Sequence, residues 1–120
     1  MNYVNAVVKD KAAFERELST PQPVFVVFIS HDCTACSDAM PRFLRISERY
    51  KGQVKVMILD CVNTPKHPRV DRIPMLLIYR DQVLLDALPG LGEDALKKAF
   101  EQYTRAYAVT PVATAPGKPA

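Results

Sequence analysis

Tryptophan is absent from this chain, and glycine (four), cysteine (three) and histidine (two) are scarce in its 120 residues. Each shortage excludes something. So few glycines leave no glycine-rich loop of the kind that cradles phosphates. An odd number of cysteines argues against a secreted framework of paired bridges. The histidines stand far apart, at His31 and His67, and neither a doubled C-x-x-C nor an H-x₃₋₅-H spacing occurs, so no zinc site or other metal site is expected. No apolar stretch approaches the roughly 20 residues of a membrane span, and Lys9, Asp10, Lys11, Glu15, Arg16 and Glu17 interrupt any apolar leader. A formal charge of +3 without a dense basic run gives no nucleic-acid footprint. These exclusions leave a soluble, cytoplasmic protein in a reducing setting as the expectation.

Nearly half of the residues are apolar, enough for one ordinary core. The period of the apolar positions orders the chain. "YVNAVV" (3–8) reads as a strand and "KAAFEREL" (11–18) as a helix with Asp10 as N-cap. "VFVVFIS" (24–30) is a continuous β-branched and aromatic run, the mark of a strand covered on both faces. Between 34 and 50 the period lengthens: Ala39, Phe43, Ile46 and Tyr50 line one face of a helix, and "KG" (51–52) stops it. "VKVMIL" (54–59) is a further strand, and "NTPKHPRV" (63–70) a loop or short helix with Pro65 in its first turn. "MLLIY" (75–79) and "VLLDAL" (83–88) flank "RDQ" as an antiparallel hairpin. "GEDALKKAFEQYTRAY" (92–107) closes as a helix with its acids in the first turn. Phe14, Phe43 and Phe100 fall on helix faces that suit packing on a sheet. The order β-α-β-α-β-α-β-β-α predicts an α/β sandwich, a mixed central sheet between helices, over residues 1–107. The Ala, Pro and Thr of 108–120 predict a flexible tail.

Against that background, "FISHDCTACSDAMPRF" (28–43) places two of the three cysteines three positions apart. Such a pair can bind a metal, staple the fold or exchange electrons. Cys33 falls where the second strand ends and the long helix begins. Unpartnered N–H groups and the positive end of the dipole there favour a thiolate, lowering its pKa from about 8.5 toward neutrality. Cys36 lies on the same helical face and within bridging range, so one cysteine can attack and the other resolve. Pro41 sits inside the helix, and Ile73-Pro74 immediately precedes an apolar strand, where a tight turn and a cis bond are expected.

With these features the chain resembles the thioredoxin family over about residues 1–107. Cys-x-x-Cys after a buried strand, proline five positions beyond the second cysteine, "YKGQVKV" after the helix, Ile-Pro before the fourth strand and a terminal helix carry the resemblance. It implies a thioredoxin-like fold and a protein-disulfide oxidoreductase, with Cys33 as nucleophile and Cys36 as resolving thiol. Ile73, a cis Pro74 and Gly90 would hold the substrate chain. The resemblance implies no cofactor beyond the redox-active disulfide, a monomer, a disulfide-bearing protein substrate, and electrons from a separate reductase or a small thiol. Two rival readings are a non-catalytic binding subunit for a protein partner and a glutaredoxin-like user of glutathione.

The departures from the family centre on the motif. "DCTAC" puts Asp32 in the place of the usual tryptophan and Thr34-Ala35 between the cysteines. Asp32 opposes a Cys33 thiolate, and a protonated His31 offsets it; Thr34 and Ala35 modulate the pair. The family's buried aspartate aligns with Val27, and its partner lysine on the third strand with about Val56. Either Cys36 then resolves slowly, or water or the loop supplies the proton path. Met75 stands where threonine is usual after the proline, which suggests an altered substrate surface. His67 and Arg72 read as exposed loop residues, and Cys61 as a small residue at a strand end.

Overall fold

The computed structural model describes the backbone of residues 3–5, 11–61 and 67–109, with side chains for 11–61 and 67–105. Its elements are β1 (Tyr3–Asn5), α1 (Lys11–Glu17), β2 (Val24–Ile29), α2 (Thr34–Glu48), β3 (Lys55–Asp60), β4 (Met75–Arg80), β5 (Val83–Pro89) and α3 (Glu93–Val109). The sheet order is β1-β3-β2-β4-β5. β1 and β2 run parallel to β3, whereas β4 runs antiparallel to both β2 and β5, so the sheet is mixed.

The continuous apolar strands are buried on both faces, and their side chains alternate strictly between two cores. Phe25 and Val27 of β2, Val56 and Ile58 of β3, and Leu76 and Ile78 of β4 face α2 and α3, where they meet Ala39, Phe43, Ile46, Leu96 and Phe100. Phe100 stacks on Phe25 at 4.2 Å between ring centroids and on Tyr50 at 5.1 Å. Val24, Val26, Phe28, Met57, Leu59, Met75, Leu77 and Tyr79 point the other way, onto Leu18, Phe14 and the 67–73 segment. Phe14, Phe43 and Phe100 therefore sit as the helix periodicity predicts.

Local chemistry explains the turns. Gly52 stops the chain after α2 with φ +87°. Asp81 and Gln82 both take positive φ and close the β4–β5 hairpin in two residues, the geometry that matches the strands' right-handed twist. Asp10, expected as an N-cap, lies outside the described residues, as do 6–8 of the expected first strand and 110–120 of the expected tail. The segment 63–70 is described only from His67, and 67–70 forms a turn. α3 continues to Val109, two residues past the boundary drawn from the sequence.

Candidate active site

The strand registers bring four chain segments to one edge of the sheet. Ile29 is level with Asp60, Phe28 with Met75, and Met75 with Pro89. Whatever follows β2, β3 and β5, and whatever precedes β4, therefore converges there. Those segments carry His31 to Cys36, Cys61, Gly90 and Ile73-Pro74. Residues widely separated in the chain become neighbours because parallel strands end together and the hairpin returns to the same level.

Cys33 is the N-cap of α2, in extended conformation, and its sulfur accepts the amide of Cys36 at 3.0 Å. A thiolate at this position receives the same N–H, in addition to the field of the helix terminus. Cys33 and Cys36 are joined as a disulfide, with Cα atoms 5.2 Å apart. The pair is asymmetric: Cys33 is half-buried whereas Cys36 is only 3 % exposed. Thr34 and Ala35, between them, are exposed in the first turn. Pro41 lies inside α2 with its ring exposed.

His31 and Asp32 are exposed. His31 Nε2 lies 3.4 Å from Asp60 Oδ2, with the histidine 89 % and the aspartate 23 % exposed, so the contact is well solvated. Asp60 escaped the sequence reading: it ends β3 just before Cys61, but only the strand register sets it level with the end of β2. Cys61 is a free, half-buried thiol packed on the α1-side core, and its amide donates to the Ile29 carbonyl at 2.9 Å.

The Ile73–Pro74 peptide bond is cis. Pro74 is buried, Ile73 is half-buried, and the Pro74 carbonyl accepts the amide of Gly90 at 3.0 Å. Gly90 is exposed with φ +80°. Leu91 follows with φ +52°, an angle that costs a leucine roughly 1–2 kcal/mol. Complete burial of its side chain and a hydrogen bond from Arg42 Nε to its carbonyl at 2.8 Å hold it there.

Two expectations are corrected. Met75 is 4 % exposed and packs in the α1-side core, so its side chain cannot form part of a substrate surface; strand alternation turns it inward opposite Phe28. His67 is not an exposed loop residue. It is half-buried among Phe14, Phe28 and Tyr79, where burial, helped by the Arg69 cation, holds its pKa below the usual histidine value. On β3, Ile58 pairs with Val27, and Val56, the position aligned with the family's lysine, pairs with Phe25. Val27 is fully buried, and all three of these aliphatic side chains lie in one apolar core. Arg72 is exposed, as expected, beside Asp71. Among the described residues, no group of three or more His, Cys, Asp or Glu is placed to hold a metal ion, and no helix is long and apolar enough to cross a membrane.

A mixed sheet between helices, with a disulfide at the N-terminus of α2 and a cis-proline at the same sheet edge, defines a thioredoxin-like redox domain. The thioredoxin family model matches residues 5–102, and the chain belongs to that family. It is 30 % identical over 100 residues to the thioredoxin of Synechocystis, spanning 80 % of this chain and 94 % of that one. Thioredoxin 1 of Synechococcus elongatus is 32 % identical over 93 residues, 72 % of this chain and 84 % of that one. The crystal structure of thioredoxin from Trypanosoma brucei brucei superposes with a TM-score of 0.75 at 18 % identity, covering 85 % of this chain and 92 % of that one. The protein is a thiol–disulfide oxidoreductase whose redox group is its own cysteine pair. Nothing in the site or in these relatives favours the binding-subunit or glutathione readings.

Proposed function

We propose that the protein reduces or exchanges disulfides of other proteins, with Cys33 as nucleophile and Cys36 as resolving thiol. The observation that carries this assignment is the asymmetry of the pair: the more accessible sulfur is also the one that receives an amide N–H at the helix terminus. In the reductive direction, the Cys33 thiolate attacks one sulfur of a substrate disulfide. A mixed disulfide forms, and the other substrate sulfur leaves as a thiolate that takes up a proton. Cys36, having lost its own proton, attacks Cys33 Sγ; the Cys33–Cys36 bond forms and the second substrate thiolate leaves. Two electrons pass from the dithiol to the substrate, and a separate reductase or a small thiol returns two. The Ile73–Pro74 and Gly90 backbone forms the shelf for the substrate chain, with Thr34, Ala35, His31 and Asp32 bordering Cys33. Both cysteines lie in one chain, which suits action as a monomer. The free thiol of Cys61 suits a reducing compartment such as the cytoplasm.

Insulin-disulfide reduction tests the assignment. Cys33→Ser should abolish turnover, and Cys36→Ser should accumulate a mixed disulfide on Cys33. In the reduced protein, iodoacetamide at neutral pH should modify Cys33 faster than free cysteine and Cys36 much more slowly. Equal alkylation of the two would remove the assignment of roles.

A further inference from the structure

Only three non-glycine residues among those described have positive φ: Asp81, Gln82 and Leu91. The first two form a hairpin turn, where such angles are the rule. Leu91 does not. It follows Gly90, and two successive left-handed residues turn the chain out of β5 toward α3. The carbonyl of Leu91 is gripped by Arg42 Nε at 2.8 Å, and the amide of Gly90 is held by the Pro74 carbonyl at 3.0 Å. Arg42 stands six residues beyond Cys36 in the same helix. A continuous line of contacts thus runs from the helix that carries the cysteines, through Arg42, Leu91 and Gly90, to Pro74. Arg45, one turn further along α2, bonds the Glu93 carboxylate at 3.0 Å, but both partners are substantially exposed and the contact lies beyond the turn.

We propose that Arg42 is a positioning residue, setting the Gly90–Leu91 turn at the height at which Gly90 and Pro74 together form one shelf for an extended substrate chain. This rests on the protein-disulfide function proposed above. Arg42 touches neither the reacting sulfurs nor the shelf itself. Its effect is on the recognition of polypeptide, because a small disulfide needs only an accessible Cys33, whereas a protein disulfide also needs the backbone shelf. A guanidinium is well suited to hold the turn, since its Nε–H is fixed in the plane of the fork.

The test compares Arg42→Ala, Arg42→Lys and Arg45→Ala with the unaltered protein on insulin and on a small aromatic disulfide. For Arg42→Ala, KM for insulin should rise about fivefold with kcat within twofold, the pattern of lost binding rather than lost chemistry. The preference for insulin over the small disulfide should fall by a similar factor, Arg42→Lys should recover part of it, and Arg45→Ala should leave the preference intact. An equal loss on both disulfides, or an unchanged KM, overturns the proposal. Amide hydrogen exchange decides it independently of activity: Gly90 should exchange faster in Arg42→Ala, while Val26 and Met57 in the sheet centre keep their rates. Unchanged exchange at Gly90 overturns the tether, and equal acceleration at all three makes Arg42 a general brace and overturns it too. Should the unaltered protein reduce neither disulfide, the proposed function fails, and the Gly90 exchange still decides whether the tether exists.

Discussion

His67 Nε2 lies 2.7 Å from Tyr79 Oη, and its other ring nitrogen, Nδ1, accepts the amide of Arg69 at 3.0 Å. A ring nitrogen that accepts carries no proton, so the neutral ring is protonated at Nε2 and donates to the tyrosine. Protonating the imidazole replaces the acceptor at Nδ1 with a second donor and abolishes the Arg69 contact. The hydrogen bonding thus agrees with the lowered pKa of His67, whose first cause is burial and second the Arg69 cation. Burial likewise pushes Tyr79 up to about 12, against the opposing pull of Arg69.

Stability should respond to pH on both sides. Below pH 6.5 the unfolded chain takes up a proton on its histidine before the folded chain does, so stability falls as pH drops toward the folded value. At the alkaline end the sign reverses: the Tyr79 contribution is present below about pH 10 and is lost as pH rises from there to about 12. Urea unfolding at a series of pH values, for the unaltered protein and for His67→Gln, isolates the acid limb. A stability difference between the two that stays constant from about pH 7.5 to about pH 5 would contradict it.

Val27→Asp should speed the resolving step and weaken the fold. Val27 is fully buried between aliphatic neighbours, so a carboxyl there lacks a ready partner and should cost on the order of 2 kcal/mol. Ile58 rather than a lysine stands beside it, so desolvation is unopposed and the carboxyl titrates above its usual range. Such a group is suited to accept the Cys36 proton near neutral pH. Stopped-flow decay of a mixed disulfide on Cys33 is the measurement. Equal rates in the two proteins would assign that proton to solvent or the loop instead.

Phe100→Ala should be among the most damaging single changes outside the motif. The ring is fully buried and stacks between Phe25 of β2 and Tyr50 beyond the end of α2, joining α3 to the sheet and to the cysteine-bearing helix. Large-to-small changes of this kind cost about 3–5 kcal/mol. Thermal unfolding should show the loss with the Cys33–Cys36 bond both formed and reduced. A loss below about 1 kcal/mol would mean that the stack is not what fastens α3.

Most of the framework was legible because each element has a local cause. β2 announced burial on both faces through its unbroken apolar run, the β4–β5 hairpin was visible in two apolar runs flanking "RDQ", and the α2 face in Ala39, Phe43 and Ile46. The cysteine pair at the strand-to-helix junction, and the proline ahead of β4, were readable for the same reason. Asp60, Arg42 and Met75 were not legible in this way. Asp60 meets His31 only because β2 and β3 end level. Arg42 finds a carbonyl 49 residues away. Met75 turns inward by the pleat of β4, and which face of that strand packs on α1 is set by its pairing with β2. His67 was misplaced because flanking prolines signal a turn without saying whether the turn folds back onto the sheet.

By itself the sequence determined where each strand and helix forms and which sulfur sits at the tip of α2, since hydrophobic period, caps and breakers act within a few residues. Only the tertiary structure decided what shares that sheet edge with the sulfur: Pro74, Gly90 and the Leu91 carbonyl bonded by Arg42. Those neighbours are set by strand register and by the level at which strands end, which long-range pairing fixes and no short stretch of sequence encodes.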